Sequence, residues 1–357
     1  MEHREKTFIM SNKQKSSAIV IPLEEAVGKV LAHDITEIRP GQFKGPAFKK
    51  GYIIREGDLD HLRRLGKEHL YVLNLGPGEV HEDEAAIRLA EVLAGPGVIF
   101  DDQPSEGKIA LKSEYRGLLK VDVQALTEFN LVSDVTCSSR HNNILVEDGE
   151  TIAATRAIPL VIEETTLNKA IKIAKNAKGI FSIKRLATPE TGLIITGNEV
   201  YSGRIEDKFA PLVRKKLKFY GCVLKETIIK PDDKDEIIKG IRLFLQKGLG
   251  LILVAGGMSV DPDDVSRNAI TEAGARDIVY GTPVLPGAMF LYGHLEDIPI
   301  LGLPACILYY NATVFDLILP RVLSGERITR RDFAAMAHGG LCLNCDECRY
   351  PVCSFGK

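Results

Sequence analysis

The sequence predicts an α/β protein. Its C-terminal half reads as a three-layer αβα domain with a mainly parallel sheet, preceded by a mixed α+β N-terminal region. Three observations predict this. At 357 residues, with 45% apolar and 26% charged content, the chain is too long for one ordinary core and has the balance of a globular protein. From about Leu186 onward, short apolar runs alternate with amphipathic helical segments, the pattern of strands laid parallel and covered on both faces. Before that point the alternation is missing, and helical and β-branched segments are mixed.

The elements follow in order, over segments 1–16, 17–103, 104–185, 186–329 and 330–357. The first segment is polar. In "IPLEEAVGKVLAHDI", Leu23, Val27, Val30 and Leu31 have helical spacing, with acidic residues in the first turn where the helix dipole favours them. "GDLDHLRRLG" repeats Leu59, Leu62 and Leu65 and stops at Gly66; "HLYVLNL" reads as a strand and "HEDEAAIRLAEVLAG" as an amphipathic helix. Residues 104–165 are rich in β-branched side chains and turn residues, and "ETTLNKAIKIAKNA" then reads as a helix. In the last domain, "GLIIT", "CVLKETII" and "LILVA" are strands. Helices over "RIEDKFAPLVRKKLKFYG", "DDKDEIIKGIRLFLQKG" and "DDVSRNAITEAG" separate and follow them. The first of these places Ile205, Phe209, Leu212, Val213 and Leu217 on one face. "PVLPGAMFLYGHL", "IPILGLP" and an apolar helix over "ACILYYNATVFDLILPRVL" complete the domain.

Composition excludes several classes. A net charge of −2 provides no global basic field for nucleic acid or membrane surfaces. The polar N-terminus lacks the apolar core of a signal peptide, and no apolar run is long enough for a membrane span, so a cytoplasmic location is expected. The seven cysteines do not form a secreted disulfide framework: Cys137, Cys222 and Cys306 are scattered singly and read as buried apolar residues. The chain has no P-loop, no G-x-G-x-x-G opening a helix after a strand, no H-E-x-x-H and no G-x-S-x-G, and its eight histidines show no metal-ligand spacing.

Chemistry gathers at the ends of three apolar strands. Beyond "LILVA" come Gly256, Gly257 and Ser259, then Asp261, Asp263 and Asp264. Glycines let a ligand approach the backbone, a helix start offers free N–H groups, and clustered carboxylates suit a phosphate bridged by Mg²⁺. A tight turn with a helix cap would use the same residues. "LIITGNEV" sets Thr196, Gly197, Asn198 and Glu199 beyond a second strand, with Asp207 near the start of the next helix; "LGLPAC" puts Gly302, Leu303 and Pro304 beyond a third. In an open parallel sheet, ligands bind at the carboxyl ends of strands, so the three loops together suit a phosphorylated, metal-chelated small molecule.

As an ordered set, "TGNEV…GRIED", "GGMSVDPDD", "LPGAM" and "GLPACI" resemble the molybdopterin-binding domain of molybdenum-cofactor biosynthesis proteins. Within that superfamily the set most resembles the molybdopterin molybdenumtransferase family. The resemblance implies insertion of molybdate into adenylylated molybdopterin, release of AMP, use of Mg²⁺ and a homodimer. It implies catalytic and metal-binding roles for Asp207 and Asp264. It places the pterin substrate on Thr196, Gly197, Glu199, Gly256, Gly257, Ser259, Gly302 and Pro304. The sequence departs from the family at Val284, Leu285 and Ala288, where the Pro-Gly loop normally carries two lysines. Ala305-Cys306-Ile307 replaces Gly-Asn-Pro, and Lys208-Phe209 replaces Ser-Asn. The family's N-terminal Asp-Gly-Tyr-Ala segment is not found. Two functional classes follow: an enzyme that inserts molybdate, with Arg204, Lys208 and Arg267 supplying the missing cations, or a protein that holds molybdopterin or finished cofactor without turnover. A phosphatase-like or nucleotidyl-transferring member of the superfamily, or an unrelated nucleotide-binding module, are further alternatives.

The tail "GGLCLNCDECRYPVCSFGK" places Cys342, Cys345, Cys348 and Cys353 as C-x₂-C-x₂-C-x₄-C. Four thiolates this close can wrap one metal centre. The first three resemble the run of bacterial ferredoxins, which points to an iron–sulfur cluster; a Cys₄ zinc site and a reduced free tail are the alternatives. Such a tail suits contact with a molybdoenzyme or a redox partner.

Overall fold

The computed structural model describes residues 18–39, 43–73, 75–259 and 265–357. The chain forms two compact units, each assembled from separate stretches: Met1–Glu114, Asp122–Arg140 and Gly149–Ser182 in the first, and Tyr115–Val121, His141–Asp148 and Ile183–Lys357 in the second.

The first unit is mixed α and β. Ala18–Pro22 pairs antiparallel with His69–Leu73, and Ile35–Arg39 with Phe43–Phe48, over a small core that includes Leu23, Leu31, Ile54 and Leu62. The helix expected over residues 21–35 does not form: a strand and one 3₁₀ turn, Leu23–Ala26, take its place. The reason lies in the backbone pairing, since the N–H groups of Gly28 and Leu31 bond the carbonyls of Ile54 and Tyr52 (2.8 and 2.9 Å) instead of their own chain four residues back. A four-stranded antiparallel sheet runs Val98–Phe100, Lys108–Ser113, Thr151–Ala157, Val135–Ser139. The helices Glu82–Leu93 and Glu164–Asn176 form where their spacing predicts. Val123–Asn130, inside the β-rich stretch, is also helical, started by Asp122, whose carboxylate accepts from Ala125 N–H.

The second unit carries the sheet that positions the site. Its strands are β1 (Glu190–Thr196), β2 (Val223–Lys230), β3 (Leu251–Ala255), β4 (Arg276–Tyr280), β5 (Leu291–Leu295) and β6 (Ile298–Leu303), in the order β2-β1-β3-β6-β5-β4. The β1/β2, β1/β3 and β3/β6 pairs are parallel; β6/β5 and β5/β4 are antiparallel and close one edge. Its main helices are α1 (Phe209–Phe219), α2 (Lys234–Gln246), α3 (Ser266–Glu272), α4 (Val314–Leu323) and α5 (Arg330–Ala335).

The three layers follow from strand periodicity. Successive side chains point to opposite faces. Leu193, Ile195, Leu251 and Leu253 pack with Val213 and Leu217 of α1 and Phe315 and Ile318 of α4. Their neighbours Ile194, Ile252 and Val254 pack with Ile237, Ile241 and Phe244 of α2 and Ile270 of α3. Both faces are apolar, so the strands read as unbroken apolar runs.

Two helix boundaries differ from the spacing. α1 begins at Phe209, leaving Ile205 exposed, because the Asp207 carboxylate takes the first free N–H groups, those of Phe209 (2.7 Å) and Ala210 (3.1 Å). The apolar segment 305–323 divides into a 3₁₀ turn, Ala305–Leu308, and α4. Thr313 restarts the helix with a capping box: its hydroxyl accepts from Phe315 N–H, and Asp316 accepts from Thr313 N–H (2.8 Å). No helix among the described residues is long and apolar enough to cross a membrane.

Candidate functional site

The site forms around the carboxyl end of β3. Gly256 and Gly257 follow Ala255 with φ of 95° and 59°, where side-chain-bearing residues are strained. Both also sit against neighbouring chain. A Cβ at Gly256 would stand 2.4 Å from the Thr196 carbonyl oxygen, and one at Gly257 would stand 2.5 Å from Ser266 Oγ. The buried Thr196 and Ser266 hydroxyls lie 3.2 Å apart, joining the end of β1 to the start of α3 behind the glycine turn. The turn is bare because two strand ends and a helix start converge on it.

In front of the turn lies a cavity of about 630 Å³. Three segments of the αβα domain line it: Gly256–Ser259, the loop 285–289, and Leu303–Cys306 with Tyr310. The tail adds a fourth wall through Leu341, Cys342 and Asn344. The tail is held there by backbone pairing, Leu285 N–H to Gly340 O and Cys342 N–H to Leu285 O, both 2.8 Å. The far end of the Gly-Gly loop is braced by the Tyr280 hydroxyl, which donates to the Met258 carbonyl (2.7 Å).

The sequence candidates divide. Gly256, Gly257, Ser259 and Pro304 line the cavity. Thr196 supports the turn from behind. Gly302 lies in β6 and makes room for packing: a Cβ there would meet Met258 Sδ at 2.6 Å. Gly197 and Glu199 lie on a neighbouring turn pinned by Asp232, whose carboxylate accepts from Asn198 N–H (2.9 Å). Glu199 is exposed, and neither it nor Asp207 is on the cavity wall. Asp261, Asp263 and Asp264 lie outside the described residues.

No charged side chain is on the cavity wall among the described residues. The proposed substitute cations are elsewhere: Arg204 and Lys208 are exposed and off the wall, and the Arg267 guanidinium lies over the Tyr280 ring, 4.5 Å from its centroid. Among the described residues, no three His, Cys, Asp or Glu side chains stand close enough to share one metal ion. The Asp207 carboxylate is already engaged by helix N–H groups. Among the described residues no carboxylates gather to hold Mg²⁺; Asp261, Asp263 and Asp264, which the sequence offers for it, lie outside them.

Sequence reasoning missed several wall residues. Cys306, read as a buried apolar residue, is half-buried and lines the cavity; burial pushes its thiol pKa up. Cys137 does fit that reading: it is buried, and its thiol is pushed up to about 12. Tyr310 and Asn344 carried no motif. Their place depends on the break in the helix before α4 and on the tail pairing, neither of which has a local sequence signal. The four tail cysteines line a second, smaller cavity of about 80 Å³, which shares Tyr310, Cys342 and Asn344 with the first.

Comparisons with known proteins match parts of the chain. Residues 192–324 match the family described as a probable molybdopterin binding domain, and residues 20–74 match a domain of unknown function (DUF8806). A CinA-like protein of Mycobacterium tuberculosis is 30% identical over 88 residues, which is 25% of this chain and 20% of that protein. The chain thus spans about a fifth of the length of the curated relatives it matches. Among solved structures, the molybdopterin biosynthesis enzyme MoaB of Thermus thermophilus is 21% identical, with a TM-score of 0.33, over 39% of this chain and 98% of that one. The molybdopterin biosynthesis Mog protein of Mycobacterium ulcerans is 18% identical, with a TM-score of 0.31, over 37% and 91%. The match over residues 192–324 contains the three strand-end loops and ends before the tail cysteines.

Proposed function

We propose that the cavity at the carboxyl end of β3 binds molybdopterin, and that the protein serves molybdenum-cofactor biosynthesis by holding this pterin. The observation that carries the reading is the cavity itself. It lies on the bare Gly256–Gly257 turn at the end of a parallel strand, inside the segment that matches the molybdopterin-binding family. Its volume falls within the roughly 300–1,000 Å³ of small-molecule sites. Its wall is apolar with a few polar groups, among them Ser259, Tyr310 and Asn344, a composition suited to a flat heteroaromatic body oriented by hydrogen bonds.

The test is mass spectrometry of ligand retained on gently purified protein, compared with Ala305→Trp. Ala305 is exposed and lines the cavity, so the indole fills the space without entering the core. Molybdopterin on the parent and at least about tenfold less on the variant, equivalent to ~1.4 kcal/mol, is the expected result. No pterin on the parent, or equal amounts on both, rejects the reading.

A second reading is turnover: molybdate insertion into adenylylated molybdopterin with release of AMP. The three aspartates of Asp261–Asp264 favour it, while the absence of a cationic side chain from the wall among the described residues disfavours it, since oxyanion chemistry gains most from fixed positive groups. AMP release that requires Asp264, and is lost in Asp264→Asn with pterin still retained, would establish it.

A further inference from the structure

The tail cysteines are not absorbed by that function, and the structure places them with care. The tail is closed into a loop by Gly356 N–H to Gly339 O (2.9 Å). Two aromatic side chains fasten the loop to the domain. Phe355 is buried in the core shared with α4, and the Tyr350 hydroxyl donates to the Asp316 carbonyl at 3.1 Å. All four thiols are free, and all four line the same cavity. Among the described residues, Arg349 is the one charged side chain on that wall, and it is cationic.

The spacing and the cavity select the occupant. A single zinc with Zn–S bonds of about 2.3 Å draws its four sulfurs to roughly 3.8 Å from one another. The four thiols line one cavity, but among the described residues they are not gathered into a ready-made site for one ion. The cavity measures about 80 Å³, several times the roughly 10–15 Å³ needed for one water. A cluster that brings its own bridging sulfides holds its cysteines farther apart than one ion does, and C-x₂-C-x₂-C is the spacing of a cluster-binding run. Four thiolates leave such a centre anionic, which Arg349 favours.

We propose that Cys342, Cys345, Cys348 and Cys353 bind an iron–sulfur cluster, and that the cluster stiffens one wall of the ligand cavity. The coupling runs through Cys342. Its side chain lines both cavities, and its backbone N–H bonds the carbonyl of Leu285 in the cavity loop. A metal bond to Cys342 fixes the residue that holds loop 285–289 in place. The effect on the cavity's ligand rests on the pterin reading above; the cluster and the stiffening do not. By linkage, a ligand that prefers the stiffened wall also favours the loaded cluster.

The experiment is anaerobic reconstitution of the full chain with iron and sulfide. It is read by iron, sulfide and zinc content, visible absorption, and hydrogen exchange of the peptide spanning residues 281–290. Cys345→Ala and Cys348→Ala are made in parallel; both residues are exposed and line only the smaller cavity, so two independent variants test ligation without opening the core. Expected are about four irons per chain, broad visible absorption lost in both variants, and slower exchange at 281–290 on reconstitution. Molybdopterin binding is expected to tighten by about fivefold or more in the loaded protein. One zinc per chain, no bound metal, or iron retained by both variants overturns the cluster. Unchanged exchange in cluster-loaded protein overturns the coupling. Absence of pterin binding in both states, with iron and exchange as expected, sinks the pterin reading alone.

Discussion

Gly256→Ala tests whether the bare turn is a structural necessity of the site. Gly256 holds φ at 95°, and a side chain in left-handed backbone costs about 1–2 kcal/mol. The added Cβ would also stand 2.4 Å from the Thr196 carbonyl oxygen and 2.8 Å from its hydroxyl. The first of these atoms is backbone inside a parallel sheet, so it can yield only by moving the end of β1. Overpacking of this kind costs about 1–3 kcal/mol. The sum, about 2–5 kcal/mol, lowers the melting temperature by roughly 4–20 °C at 2–4 °C per kcal/mol for a unit of this size. Calorimetry of parent and variant measures it, alongside retained pterin. Glu199→Gln is the control, an exposed change off the cavity wall expected to leave both readouts near the parent. A Gly256→Ala protein melting within about 2 °C of the parent would refute the reasoning, because neither the backbone strain nor the contact with Thr196 would then be real.

Two further outcomes follow from the same geometry. Asp207 caps α1 instead of facing the cavity, so Asp207→Ala should cost about 1 kcal/mol in urea unfolding and Asp207→Asn only a few tenths. Pterin retention should match the parent in the Asn variant; a large loss there would return Asp207 to the ligand site. The second outcome concerns acid stability. Burial alone would raise the Asp332 and Glu326 carboxyls, but bonds from Thr329 and Arg321 hold Asp332 down at about 2, and bonds from Lys120 and Arg321 hold Glu326 below its usual range. Both folded values lie below the unfolded ones, 3.8 and 4.5, so their contribution is full at neutral pH and is lost as pH falls from about 5 toward 2. For Asp332, one-third exposed, it amounts to roughly 1–2 kcal/mol after allowance for solvent screening. Asp332→Asn should flatten the acid limb of stability measured against pH, and parallel limbs for parent and variant would count against the network.

The strands and helices of the second unit were legible because both faces of its sheet are buried and each helix shows one apolar stripe. Ile237, Ile241 and Phe244 are spaced for a helix in sequence and pack where that spacing places them. The Gly-Gly turn was legible as a bare turn at a strand end, but its reason was not, since nothing local to residues 256–257 announces Thr196 and Ser266 behind them. Capping decided the errors. Ile205 fits the stripe of α1 yet lies outside it because Asp207 intervenes, and the apolar run after Pro304 breaks because Thr313 and Asp316 form a stronger start than the residues before them. β4 was missed: Arg276–Tyr280 is half polar and pairs only along one edge, so it carries neither a continuous apolar run nor a clear alternation. The tail cysteines were legible as a motif, whereas their position beside the cavity was not, because it depends on pairing between Leu285 and residues 340–342.

That pairing also bears on positions where the sequence departs from the family it resembles. The loop that resembles a lysine-bearing segment carries Val284, Leu285 and Ala288 here. Leu285 uses its backbone to dock the tail, and its exposed side chain shares the cavity wall with Leu341. A lysine at 285 would bring its charge to that apolar wall, where an unpaired ammonium is costly. On the opposite loop, Ala305 and Cys306 stand where a glycine and an asparagine are expected, and Cys306 lines the cavity together with Cys342. Compared with the family the sequence resembles, one loop carries apolar side chains in place of lysines and the other carries a thiol, and the tail lines the cavity beside both. A wall of this kind gains little from a ligand's phosphate and more from its ring system, whose apolar faces it can bury at roughly 25 cal/mol per Å². On the proposed pterin reading, discrimination among pterins would rest on shape and on hydrogen bonds from Ser259, Tyr310 and Asn344, and recognition of any phosphate would fall to the backbone of the Gly-Gly turn.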